Sequence, residues 1–223
     1  MFSMRKFILI FIIFVFSFSG CMSFEKLKIG SMRAYKSVNY FKDDELASKI
    51  GRVLVLPVKN ISGIEFDEAG VYNSLFLALL HKKYFEVLKY QSFPENMISE
   101  LQNSFKPEAS NSMSNILKVF GEKYKIDAIL FSEISVYKSY KPLVLGYKHF
   151  LYSTNSGQVA WSVDDVFDMG DKNVNALSKN WYFKKYEEDR NPSMKSDIME
   201  ISMNNFVEFS FSVLLETWQK KQK

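Results

Sequence analysis

The sequence predicts an α/β (α+β) fold: one domain, a mixed sheet with a C-terminal antiparallel meander, and helices packed on it in the order βαβα(α)βββαα. Three patterns predict it. Val53-Leu54-Val55-Leu56 is a continuous apolar run, as expected of a strand buried on both faces. A 3.6-residue apolar period follows and leads into a second β-rich run. Later come three β-rich segments with turn signals between them, which read as a meander.

The elements follow in order. The first strand spans Arg52–Val58 and is broken by Asn60 to Gly63. Phe66 to Tyr84 is helical, with the stripe Ala69, Tyr72, Leu75/Phe76 and Leu79/Leu80. Phe85–Tyr90 is the second strand, and Glu95–Ser104 and Ser114–Tyr124 are helices joined by a loop holding Pro107. Ala128–Tyr140 and Leu143–Tyr152 are long strands turning at Lys141-Pro142. Asn155-Ser156-Gly157 turns the chain into a third, where Val159, Trp161 and Val163 alternate with polar residues. Asp171–Glu188 is helical, Asn191-Pro192 breaks the chain, and Ser196–Gln219 is a final helix.

Ahead of the domain, Arg5 and Lys6 precede a 12-residue apolar stretch, Phe7 to Phe18. That is too short to span a bilayer, which takes about 20 residues, and it has the form of an export signal. Ser19-Gly20 supplies small residues for cleavage, and Cys21 follows as the only cysteine in 223 residues. An exported chain with one cysteine forms no internal disulfide. Phe18-Ser19-Gly20-Cys21 resembles the bacterial lipobox, with Phe18 where Leu is usual. The resemblance implies a signal peptide over 1–20, cleavage before Cys21, and acyl chains (palmitate among them) on its thiol as a membrane anchor. Met22, standing where an Asp would favour retention, implies the outer membrane, facing the periplasm. Residues 21–48 read as a lipidated tether with a short helix over Asp43–Lys49, and the domain is expected over 49–223. A coil of that length spans roughly 30 Å.

Loss of Arg5 and Lys6 with the leader leaves 27 basic and 25 acidic side chains. That near balance argues against nucleic acid as a partner, since such proteins carry a concentrated basic face. The two histidines lack neighbours at metal-ligand spacing: His81 ends a helix beside Lys82 and Lys83, and His149 is mid-strand with Leu145, Tyr147 and Leu151. The acidic stretch Asp164 to Asp171 reads as a strand end, a turn at Gly170 and a helix cap at Asp171; a hard cation is the alternative. No nucleophile elbow, phosphate loop or dinucleotide fingerprint occurs. No catalytic residue, cofactor or metal is therefore expected, and the chain is not expected to be an enzyme; a hydrolase assembled from distant residues is the third reading.

Val53-Leu54-Val55-Leu56-Pro57-Val58-Lys59-Asn60-Ile61-Ser62-Gly63 resembles the opening of a family of exported α/β domains. Gly121 to Leu130 is similar to that family's helix running into a strand through Asp-Ala, and Ser156-Gly157-Gln158-Val159-Ala160-Trp161 to its hairpin. The family includes lipoprotein activators of penicillin-binding proteins, the curli secretion channel lipoprotein and the amino-terminal domain of the Tol-system propeller protein. The resemblance covers roughly 51–170 and implies a non-catalytic adaptor or regulator of a cell-envelope machine. The alternative is a structural subunit of an outer-membrane assembly or secretion complex. An envelope protein partner is implied in the first case and a homo-oligomer in the second.

The C-terminal helix carries two apolar stripes. Ile198, Ile201, Phe206, Phe209 and Val213 form one, and Val207, Phe211, Leu214 and Trp218 the other. A helix packed on one sheet buries a single stripe, so the second is either a partner surface or is covered by the Asp171–Glu188 helix.

Overall fold

The computed structural model describes Tyr35, Ser37 and residues 39–105, 110–186 and 195–219. Strands β1 (Tyr40–Lys42), β2 (Arg52–Val55), β3 (Lys59–Asn60), β4 (Glu86–Lys89), β5 (Ala128–Lys138), β6 (Val144–Ser153) and β7 (Val159–Asp168) form one sheet. Its order is β1-β7-β6-β5-β2-β4, with β3 pairing β5 beyond the end of β2. The helices are α1 (Asp44–Ala47), α2 (Glu68–Lys82), α3 (Glu95–Ser104), α4 (Ser110–Tyr124), α5 (Lys172–Lys185), α6 (Lys195–Ile201), α7 (Met203–Leu214) and α8 (Glu216–Gln219). None of the described helices is long and apolar enough to cross a membrane. This is the mixed sheet and meander that the sequence predicts.

β2 is parallel to both β4 and β5, while β5, β6 and β7 run antiparallel in a meander. The apolar run of β2 is buried on both faces because helices cover both. On one face Val53 and Val55 join α2 and α7; on the other Leu54 and Leu56 join Ile98, Leu101, Leu117 and Phe120 of α3 and α4. A strand with solvent on one side would have alternated.

The three residues of β1 depart from the sequence reading, which places them in the tether. Tyr40, Phe41 and Lys42 pair with Val163, Ser162 and Trp161 of β7 and close that edge of the sheet. Upstream, the Asn39 carbonyl accepts from the Asp164 amide at 3.0 Å. Tyr35 stacks on Phe167 at 4.5 Å, and its hydroxyl donates to Asp165 at 2.7 Å. A three-residue strand shows no period, so its sequence looks like linker. α1 does form within the predicted Asp43–Lys49 segment, with the Asp43 carboxylate accepting from the amides of Glu45 and Leu46.

The single C-terminal helix predicted over Ser196–Gln219 is three. Ser202 is extended and its side chain accepts from the Asn205 amide, which restarts the helix as α7. The break turns α7 onto the sheet. There Phe206, Val207, Phe209, Phe211 and Leu214 are all buried.

Trp161 joins this layer to the meander. It is 1% exposed, and its indole N–H donates to Thr217 Oγ1 at 2.8 Å. Large-to-small truncation in such a core costs about 3–5 kcal/mol through lost burial and the cavity left behind. Trp161→Ala should therefore lower unfolding free energy by about 3–5 kcal/mol in urea titrations, whereas an exposed residue would leave the midpoint within error of wild type.

Candidate functional site

The predicted lipidation site, Cys21, lies outside the described residues, as does the whole 1–20 leader. The predicted partner stripe lies inside them, and the structure corrects it. Val207, Phe211 and Leu214 are each fully buried. Val207 and Phe211 face the sheet: the Tyr147 hydroxyl lies 3.3 Å from the Val207 carbonyl and 2.9 Å from Ser210 Oγ, and Phe211 meets the His149 ring at 4.6 Å. Of the other stripe, Phe206 and Phe209 are covered too, Ile198 and Val213 are partly buried, and Ile201 is exposed. Phe209 packs against Trp181 of α5 and Phe167 of β7. α7 is thus a central helix, with the sheet beneath it and α2 and α5 alongside. A partner cannot reach the first three residues without unfolding the domain. Trp218 alone of the four keeps solvent contact, edge-on to Phe85 and with the Lys42 ammonium 5.6 Å from its ring. It borders an open depression of about 500 Å³ with Asp44, Ala47, Ser48 and Gln219.

Two polar constellations sit in the helical layer. His149 is fully buried between Tyr147, Trp161 and Phe211, with Nδ1 2.8 Å from Ser132 Oγ and, among the described residues, no hydrogen-bond partner for Nε2. Burial pushes its pKa down to about 3, so it is a neutral ring in an aromatic box, sealed from substrate and metal alike.

The second constellation was not legible in the sequence. Glu208, mid-way along α7, is buried and paired with Lys185 of α5. His81 of α2 approaches it at ion-pair distance, 3.1 Å, without hydrogen-bond alignment. One carboxylate thus ties three helices together. Only the spacing of the helices brings residues 81, 185 and 208 to one point, and no motif encodes that.

The acidic segment does what the turn-and-cap reading expects. Asp165 accepts from Tyr35, Asp168 from the Gly170 amide at 2.6 Å, and Asp171 from the amides of Asn173 and Val174. Among the described residues, no group of three or more metal-ligating side chains occurs.

The remaining candidate surface is part of the sheet itself. α3 and α4 cover the face of β2 and the lower half of β5 and β6. Among the described residues nothing packs over that face where β6, β7 and β1 continue it. It carries a cross-strand row Lys59–Glu133–Lys148–Asp164 of alternating charge. Beside that row, Val166 and Phe41 are about half exposed.

No protein-family model matches the chain, and no curated protein sequence matches it. Solved structures do. A PelC dodecamer from Paraburkholderia phytofirmans is 12% identical at a TM-score of 0.48, over 82% of this chain and 96% of that one. Lipoprotein GNA1162 from Neisseria meningitidis is 16% identical at 0.40, over 63% and 99%. The C-terminal domain of LpoB from Salmonella enterica is 18% identical at 0.38, over 55% and 92%. Lipoproteins of the kind the sequence resembles are thus among its structural neighbours, at low identity. At these values the likeness says nothing of what this chain binds.

Two predictions follow from the buried polar groups. Between pH 6.5 and pH 3 the unfolded chain binds a proton on His149 that the folded chain refuses, so this residue removes stability as pH falls. The loss is about 1.4 kcal/mol per pH unit, or about 3 kcal/mol by pH 4. His149→Phe should flatten the pH dependence of urea unfolding by about that amount; an unchanged slope would mean that the ring is solvated. For Glu208, removing one member of a buried ion pair is costlier than removing both. Lys185→Met alone should cost about 3 kcal/mol, and adding Glu208→Leu should recover most of it in a double-mutant cycle.

Proposed function

We propose that this protein is a lipoprotein of the cell envelope, cut before Cys21 and held by acyl chains on that cysteine. In this reading it works by protein contact, as a non-catalytic adaptor or regulator of an envelope machine at the outer membrane. The observation that carries it is the lone cysteine directly behind Ser19-Gly20 and a short apolar run with cationic flank. The fold supports a binding role. Its titratable clusters serve packing: His149 is sealed in the core, and His81 and Lys185 converge on a helix-tying carboxylate. Among the described residues, an uncovered stretch of sheet faces solvent.

The same stretch of sheet favours a second reading, a structural subunit of an outer-membrane assembly or secretion complex, in which a neighbouring copy covers Phe41 and Val166. Crosslinking in intact cells followed by mass spectrometry separates the two. One stoichiometric partner supports the adaptor, and crosslinks between copies support the subunit.

The anchor is tested directly. Metabolic labelling with a palmitate analogue should tag the wild-type chain and leave Cys21→Ser unlabelled. Equal labelling of the two would remove the basis of the proposal.

A further inference from the structure

The anchor reading acquires an orientation from where the chain enters the fold. Upstream of β1, Asn39 and Tyr35 lie against successively later residues of β7, toward that strand's C-terminal end, as the Asn39–Asp164 hydrogen bond and the Tyr35–Phe167 stack show. Phe167 is level with Leu145, and Leu145 with Tyr137. The chain therefore enters at the end of the sheet where β5 turns into β6. With Tyr35 already docked, only 13 residues separate it from Cys21. Fully extended, they reach at most about 50 Å.

That same end carries the most exposed apolar side chains. Tyr140 is 70%, Ile201 64% and Ile64 54% exposed, three of the four most exposed large hydrophobics among the described residues. They come from three separate elements: the β5–β6 hairpin tip, the end of α6, and the turn after β3. Each is held in place. The Lys138 ammonium lies 4.8 Å from the Tyr140 ring. Lys141 reaches Glu200, the neighbour of Ile201, at 2.9 Å. The Asn60 amide donates to the Ile64 carbonyl at 2.9 Å, and Phe66 just beyond stacks on Tyr137 at 4.3 Å.

Tyrosine at a lipid surface buries its ring and leaves its hydroxyl among the headgroups, and flanking lysines reach the phosphates. Apolar side chains held outward on ordered loops mark a contact surface. We propose that this pole, with Tyr140 at its tip, rests on the lipid headgroups. The proposal rests on the anchor reading, which places a bilayer within reach of Tyr35. Glu65, Asp168 and Asp171 share the pole with Lys138, Lys141 and Lys172. The surface that suits this balanced pole is therefore zwitterionic. The uncovered stretch of sheet then stands upright from the membrane, open to protein partners.

The test uses the full chain reconstituted into vesicles of brominated phosphatidylcholine, with one tryptophan added to the three native ones. Tyr140→Trp and Ile201→Trp probe the pole. Val119→Trp, equally exposed on α4, is the control. Emission from Trp introduced at 140 and 201 should shift to the blue and be quenched by bromine, and emission from the control should not. If chains that float with the vesicles show unshifted, unquenched emission at 140 and 201, the proposal is wrong. Equal quenching at all three positions overturns it as well, since no pole is then preferred. A chain that does not float with the vesicles defeats the anchor reading, and this orientation with it.

Discussion

Beyond its first turn, helix Met203–Leu214 has no exposed residue, and the architecture follows from that constraint. A helix with apolar residues on opposite faces has to be enclosed, and one sheet encloses only half of it. α2 and α5 supply the rest, which is why one face of the sheet carries a continuous helical layer rather than a single cover. The meander in turn depends on α7, because Tyr147 makes its polar contacts with Val207 and Ser210 of that helix, and Trp161 with Thr217 just beyond it. Take α7 away and the aromatic floor of the sheet loses both its packing and its hydrogen-bond partners.

Such a layer leaves little tolerance for charge, yet Glu208 lies in it. A lone carboxylate there would be strongly disfavoured. Lys185 offsets that charge from α5, and His81 of α2 lies 3.1 Å from the other carboxylate oxygen, so three helices meet at this residue. His149 meets the same low-dielectric surroundings differently, by staying neutral. Histidine and glutamate, the residues most suggestive of chemistry, are here spent on structure.

The segments that carry the family resemblance have structural tasks as well. Asp127, of the Asp-Ala junction, accepts from the amides of Gly51 and Arg52 and so pins the start of β2 to that of β5. Gly121 lies so close to Thr154 that a Cβ would stand 2.5 Å from its side chain. Asn60 closes the turn that holds Ile64 outward. A resemblance made of such residues conveys a scaffold. What the scaffold contacts depends on surface side chains that those segments do not include.

Local pattern alone determined the long elements: the buried β2, the three long strands, helix α3, and the cap at Asp171 all follow from periodicity, turn residues and capping chemistry. The proposed export signal and its single cysteine are likewise read locally in the sequence. The short strands β1 and β3 were not legible, because two or three residues carry no period. Nor was the exposure of the Val207–Phe211–Leu214 stripe. Periodicity reports that a helix has apolar faces, not how many layers lie over them, and only the placement of α2 and α5 decided that these residues are core. The Glu208 cluster and the gathering of Tyr140, Ile201 and Ile64 at one pole belong to the same class. Each joins residues far apart in the chain, and tertiary structure alone sets the distance between them.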